Sequence, residues 1–169
     1  PLLRSTAPDE LAATCLHRAS RRLRIFGTRR FARPTFRTMT LAHVSDPHFG
    51  RIAHPGIVDA LVQEINDRPV DLVTVSGDLT QRARPSEFDA ATDMLQRFEP
   101  PVIVVPGNHD VYPWWRPVRR LLTPLRRYRS MVSANLTPDH ITDNIAVLGI
   151  NSAHGRTIKG GRIGSSERH

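Results

Sequence analysis

Three short stretches gather side chains able to bind a metal ion: Asp46-Pro47-His48, Gly77-Asp78 and Gly107-Asn108-His109-Asp110. Asp46, His48, Asp78, Asn108 and His109 are oxygen or imidazole donors, a set suited to Mn2+, Fe2+ or Zn2+. Gly77 and Gly107 permit tight turns and close backbone approach. A plainer reading exists for each motif alone, because Asp and Asn after glycine are favoured in turns. That reading is poor for all three motifs together.

The elements around these motifs explain how they could meet. Residues 40–45 read as a first strand. Ile57, Val58, Leu61, Val62 and Ile65 recur at helical spacing, predicting an amphipathic helix over 56–67. Residues 71–75 form a second β-rich run. Phe88, Ala91, Met94, Leu95 and Phe98 again keep helical spacing, with Pro85 and Ser86 as the start signal. Val102 to Val105 is a third strand, stopped by Pro106-Gly107, and 145–150 is a fourth apolar run. Strand alternating with helix predicts a parallel sheet with right-handed crossovers. Each motif directly follows a strand. In a parallel sheet the strand C-termini share one edge, where ligands bind, so three loops distant in sequence should converge.

The ordered set Asp46-x-His48, Gly77-Asp78 and Gly107-Asn108-His109-Asp110 resembles the signature of the calcineurin-like metallophosphoesterases. Ser76-Gly77-Asp78-Leu79-Thr80 is more similar to the bacterial cyclic-nucleotide phosphodiesterase branch than to the Ser/Thr phosphatase branch. The likeness runs from about residue 39 to 163, including Gly149-Ile150-Asn151-Ser152 and Lys159-Gly160-Gly161-Arg162-Ile163. It implies an α/β fold: a parallel βαβαβ core forming the N-terminal half of an αββα sandwich. It implies a hydrolase of phosphodiesters or phosphomonoesters, with a phosphate-ester substrate such as a cyclic nucleotide. By this resemblance Asp46 and His48 bind the first of two divalent ions, Asp78 bridges both, and Asn108 binds the second. Ions about 3.5–4 Å apart would clamp the phosphate and lower the pKa of water. His109 would protonate the leaving oxygen or stabilise charge on it.

Other residues carry two readings. Arg82 can reach a phosphate oxygen or stand as a solvated loop arginine. Asp110 can contact substrate or merely cap its turn. His43, alternating with Leu41, reads as a packed or hydrogen-bonded core histidine rather than a ligand. Trp114-Trp115 reads as a local packing anchor, with nucleobase stacking as the alternative. Six arginines and no acid lie between Arg116 and Arg129. Val118, Leu121, Leu122 and Leu125 share a helical face there, which predicts Arg119, Arg120, Arg126 and Arg127 on its solvated side. An electropositive rim attracting anionic substrates is compatible with this.

The chain has 169 residues, one domain in size, and a formal charge of +8. The charge is uneven. Residues 1–38 hold nine arginines and two acids, 9 − 2 = +7, leaving 15 − 14 = +1 for residues 39–169. A strand begins just after Met39, so residues 1–38 read as an Arg-rich extension, disordered or not native, and dispensable for folding. The partial phosphoesterase domain is then 39–169. A mitochondrial transit peptide is the competing reading of that segment. Nucleic-acid binding, if any, is expected to be non-specific and salt-sensitive through this segment. A single cysteine, Cys15, permits no intrachain disulfide and no cysteine-based zinc site. No apolar run approaches the ~20 residues of a membrane span, no secretory signal occurs, and a cytoplasmic location is expected.

Two departures from the family pattern stand out. The phosphatase branch places an acid three residues after the bridging aspartate to orient the catalytic histidine; here Gln81 occupies that position. The family's later histidine motifs do not occur before His169. The expectation is therefore a truncated chain with weak metal binding and slow turnover. A basic nucleic-acid-binding protein and a catalytically dead remnant are the alternatives.

Overall fold

The computed structural model describes residues 38–52, 54, 56–156 and 161–163. The expectations for residues 1–37 and for Lys159-Gly160 lie outside the described residues.

Three strands, β1 (Leu41–Val44), β2 (Leu72–Ser76) and β3 (Val102–Val105), form a sheet in the order β1-β2-β3. Both pairings are parallel, with Val44 opposite Val75 and Ser76 opposite Val105. The strands therefore end almost level, and the loops carrying the three motifs leave from one edge. Helices α1 (Gly56–Asn66) and α2 (Pro85–Gln96) provide the crossovers. Pro85 opens α2, where a missing N–H costs nothing.

Strand alternation decides which side of the sheet is covered. Val44, Val73 and Val75 point into one apolar cluster with Val62 and Ile65 of α1 and Phe88, Ala91 and Met94 of α2. Leu41 and His43 therefore project from the opposite face. His43 is exposed rather than part of the core, and its Nε2 lies 2.7 Å from the Ser76 hydroxyl. Hydrogen bonding was the correct half of that expectation. Ile57 was expected on the buried face of α1 but is 60% exposed at the first turn.

Two short helices follow, α3 (Pro117–Leu122) and α4 (Arg126–Met131). This corrects the single-face expectation for this segment. Val118, Leu121 and Leu122 are exposed, whereas Arg120 and Leu125 are buried. The break at Thr123-Pro124 is the physical reason, since proline cannot continue a helix and lets α4 turn independently. It is Tyr128 that enters the core, edge-to-face with Phe88 at 6.5 Å between ring centres, its hydroxyl donating to the Val104 carbonyl at 3.1 Å. Arg120 remains inside because its guanidinium donates to the Tyr112 carbonyl at 2.5 Å. Arg127 is half-buried, donating to the Ala83 carbonyl at 2.7 Å and lying 4.9 Å from the centre of the Tyr112 ring.

The fourth apolar run supplies β5 (Ala146–Leu148), which pairs antiparallel with β4 (Asp139–Ile141) as a separate two-stranded sheet. Among the described residues this is an α/β fold with a parallel three-stranded core. No described helix is long and apolar enough to cross a membrane.

Candidate metal centre

The first loop turns sharply at both of its candidate ligands. Asp46 and His48 flank Pro47 with left-handed backbones, φ 54° and 47°. In the second loop Asp78 does the same at 49°, after Gly77 at 81°. Non-glycine residues rarely adopt this region, although Asp and His do so more readily than most. Such strain gathers where surrounding structure forces side chains into a functional geometry.

Hydrogen bonds lace the loops together. His48 N–H donates to the Asp78 carbonyl at 3.0 Å, Phe49 N–H to Leu79 at 2.8 Å, and Gln81 N–H back to Phe49 at 2.9 Å. The third loop joins through His109 N–H, which donates to Asp78 Oδ1 at 2.9 Å. Glycines are required at this crossing. A Cβ on Gly77 would lie 2.8 Å from the Gly107 backbone, and one on Gly107 would lie 2.1 Å from Asp78 Oδ1.

Asp110 braces the second and third loops. Its carboxylate is 1% exposed and accepts hydrogen bonds from the backbone N–H groups of Leu79 (3.2 Å), Thr80 (2.9 Å) and Gly107 (2.9 Å). The Thr80 hydroxyl lies 2.9 Å from the same group. Burial pushes this carboxyl up to about 6, while the donors favour its charged form. Its surroundings are thus protein donors, and the capping alternative describes it better than contact with substrate.

Asp46, His48 and Asp78 each bring a ligand atom to one place, all within 4.8 Å of one another. His48 Nε2 lies 3.8 Å from Asp46 Oδ1 and 3.9 Å from Asp78 Oδ2. These separations are too long for hydrogen bonds. They suit donors that share an ion at about 2.1 Å from each. His48 Nδ1 is buried with no hydrogen-bond partner among the described residues, so neither nitrogen of this ring is satisfied by a protein hydrogen bond. Two carboxylates facing an unsatisfied imidazole fit a divalent cation.

Asn108 opens a 3-10 turn (Asn108–Asp110) that carries His109. Both line a cavity of about 460 Å³ together with Gln81, Arg82, Trp114 and Trp115. The His109 ring meets that of His48 edge-on, ring centres 4.8 Å apart. His109 Nδ1 lies 2.9 Å from the Gln81 main-chain carbonyl. A carbonyl only accepts, so this contact, shorter than the 3.4 Å approach of the Gln81 amide nitrogen to the same atom, pairs with a proton on Nδ1. The sequence placed weight on the absence of an acid at Gln81. The main-chain oxygen there makes the closer contact with His109, with the Gln81 side-chain amide at 3.4 Å, and a backbone contact is invisible in the side-chain code.

Arg82 is exposed on the cavity wall, its backbone N–H donating to Glu87 Oε2 at 2.8 Å. Trp114 and Trp115 are 67% and 48% exposed, which does not suit the packing role expected of them. Glu87, passed over in the sequence, is 6% exposed and also accepts from Arg84 N–H at 3.2 Å. It lies against Gly50 at φ 99°, where a Cβ would stand 2.6 Å from its Oε1. Pro85 at the helix start, two residues before Glu87, was the signal that could have found it.

Comparison with known proteins agrees with this geometry. Residues 39–168 match the profile of the family described as calcineurin-like phosphoesterase. The glycerophosphodiester phosphodiesterase GpdQ of Enterobacter lignolyticus is 39% identical over 83 residues, covering 43% of this chain and 30% of that protein. An uncharacterized metallophosphoesterase of Helicobacter pylori is 29% identical over 91 residues, covering 48% of this chain and 22% of its own length. The chain thus spans less than a third of the length of these curated relatives. With the family profile matched from residue 39 to 168 over a parallel sheet that converges three donor loops, the chain belongs to the calcineurin-like phosphoesterase family.

Proposed function

We propose that the chain provides a divalent-metal site for hydrolysis of phosphate esters, phosphodiesters in particular. The observation that carries this reading is the convergence of Asp46, His48 and Asp78 donor atoms within 4.8 Å on strained loops. Asn108, on the adjoining turn, extends the set toward a second ion. The oxygen and imidazole donors suit Mn2+, Fe2+ or Zn2+. Bound there, such ions offset phosphate charge and lower the pKa of water to make a nucleophile near neutral pH.

The chain's own residues supply the rest. Asp78 has one oxygen fixed by His109 N–H and the other turned toward His48, so a single carboxylate couples both loops to the site. His109, held through Nδ1 by the Gln81 carbonyl, lines the cavity, and in its imidazolium form it gives a proton to the leaving oxygen and becomes the neutral ring. Arg82 pairs with a phosphate oxygen as substrate enters. The phosphodiester assignment draws support from the relative whose name specifies glycerophosphodiesters. A cyclic nucleotide is the narrower candidate.

The His109→Ala variant separates acid catalysis from a structural role. With Mn2+ present, hydrolysis of an alkyl phosphodiester should fall by roughly 10²–10⁴-fold. Hydrolysis of bis-p-nitrophenyl phosphate, whose leaving group needs little protonation, should fall far less. Equal losses on both substrates would contradict the acid assignment.

A further inference from the structure

The cavity beside His109 carries an aromatic pair that metal binding does not use. Trp114 and Trp115 meet edge-to-face, ring centres 5.8 Å apart and planes at 85°. Both are substantially exposed although they line a cavity of about 460 Å³, a volume in the usual range for small-molecule pockets. Their contacts with each other do not bury them, so broad indole faces remain open to a ligand. The charge on the wall restricts what that ligand is. Among the described residues, Arg82 and Arg120 line the same cavity and no carboxylate does. Aromatic groups also attract quaternary ammonium ions, but two guanidiniums with no acid oppose a cationic head group. They favour an anion joined to a flat, uncharged ring.

We propose that Trp114 and Trp115 form a stacking subsite for the nucleobase-like ring of a phosphate ester, with Arg82 on the phosphate side. The proposal rests on the proposed function for where the ester group lies, but the stacking itself requires no metal. It makes the two tryptophans determinants of specificity, selecting aromatic esters over small alkyl ones.

These are the chain's only two tryptophans, so intrinsic tryptophan emission reads the subsite directly. The full chain in EDTA, titrated with AMP, should show saturable quenching. Ribose 5-phosphate, which keeps the anion and lacks the base, should produce none at matched concentration. In calorimetry, Trp114→Ala and Trp115→Ala should each weaken AMP binding by roughly 5- to 100-fold. Trp114→Phe and Trp115→Phe, which keep a stacking face and guard against a folding artefact, should retain most of it. Equal binding of AMP and ribose 5-phosphate, or undiminished AMP binding in both alanine variants, would overturn the subsite. Divalent-metal binding without any AMP quenching would defeat this inference alone. AMP quenching in a chain that binds no divalent ion would defeat the metal reading and leave the aromatic subsite standing.

Discussion

Replacing Asp78 with alanine should reduce Mn2+ affinity by more than about 100-fold and metal-dependent phosphodiester hydrolysis by at least as much. Changes in the support of a metal ligand alone commonly cost ten- to a hundredfold, and Asp78 is one of the three candidate donors in the cluster. Its second oxygen accepts from His109 N–H at 2.9 Å, so alanine also releases the turn that carries the candidate acid. Asp78→Asn separates these effects. The amide oxygen can still accept from His109, and the variant loses a negative charge close to Asp46. Without metal it should fold at least as stably as the parent chain. With metal it should lose the stabilisation that ligand binding confers, about 2.7 kcal/mol at a hundred times the dissociation constant. Thermal unfolding with and without Mn2+ checks both halves. A metal-induced increase in melting temperature that survives in Asp78→Asn would contradict the assignment.

Asp110→Ala should be the most destabilising change near the site, at about 3–5 kcal/mol. Three backbone N–H groups, from Leu79, Thr80 and Gly107, would lose a buried acceptor, and the Thr80 hydroxyl a neighbour. Each unsatisfied buried donor costs roughly 1–3 kcal/mol. The full sum is not expected, because removing the carboxylate also removes the cost of burying it, seen in the upward push on its pKa. Urea unfolding measures the difference directly. A loss below about 1 kcal/mol would mean that water replaces the carboxylate and that the loops do not depend on this brace.

The parts of the fold visible in the sequence were those governed by period. The β-rich run at 71–75, and the spacing of Val62 and Ile65 or Phe88, Ala91 and Met94, identified the parallel core and its crossover helices. Because each motif followed a strand, parallel topology was enough to bring Asp46, His48 and Asp78 together. What escaped depended on tertiary context. The helical face assigned to Val118, Leu121 and Leu122 assumed one continuous helix, and Pro124 divides it. Arg120 looked solvated by type, and a carbonyl partner buries it. His43 sits on a strand whose other face supplies the core. The shorter contact that holds His109 comes from the backbone oxygen of Gln81, and a backbone contact leaves no trace in residue identity. Asp110 was singled out by its motif, yet only its burial and its ring of donors show what its carboxylate does.

The most direct test of the central claim is a Co2+ titration of the full chain and of its His48→Ala variant, followed by visible absorption and calorimetry. His48 Nε2 stands between two carboxylates, and Nδ1 has no hydrogen-bond partner among the described residues. The account predicts a ligand-field spectrum with saturable binding in the parent chain, and affinity lowered more than about 100-fold without the imidazole. Co2+ binding of equal strength and unchanged spectrum in His48→Ala would show that the ion sits elsewhere, and the metal centre described here would be wrong.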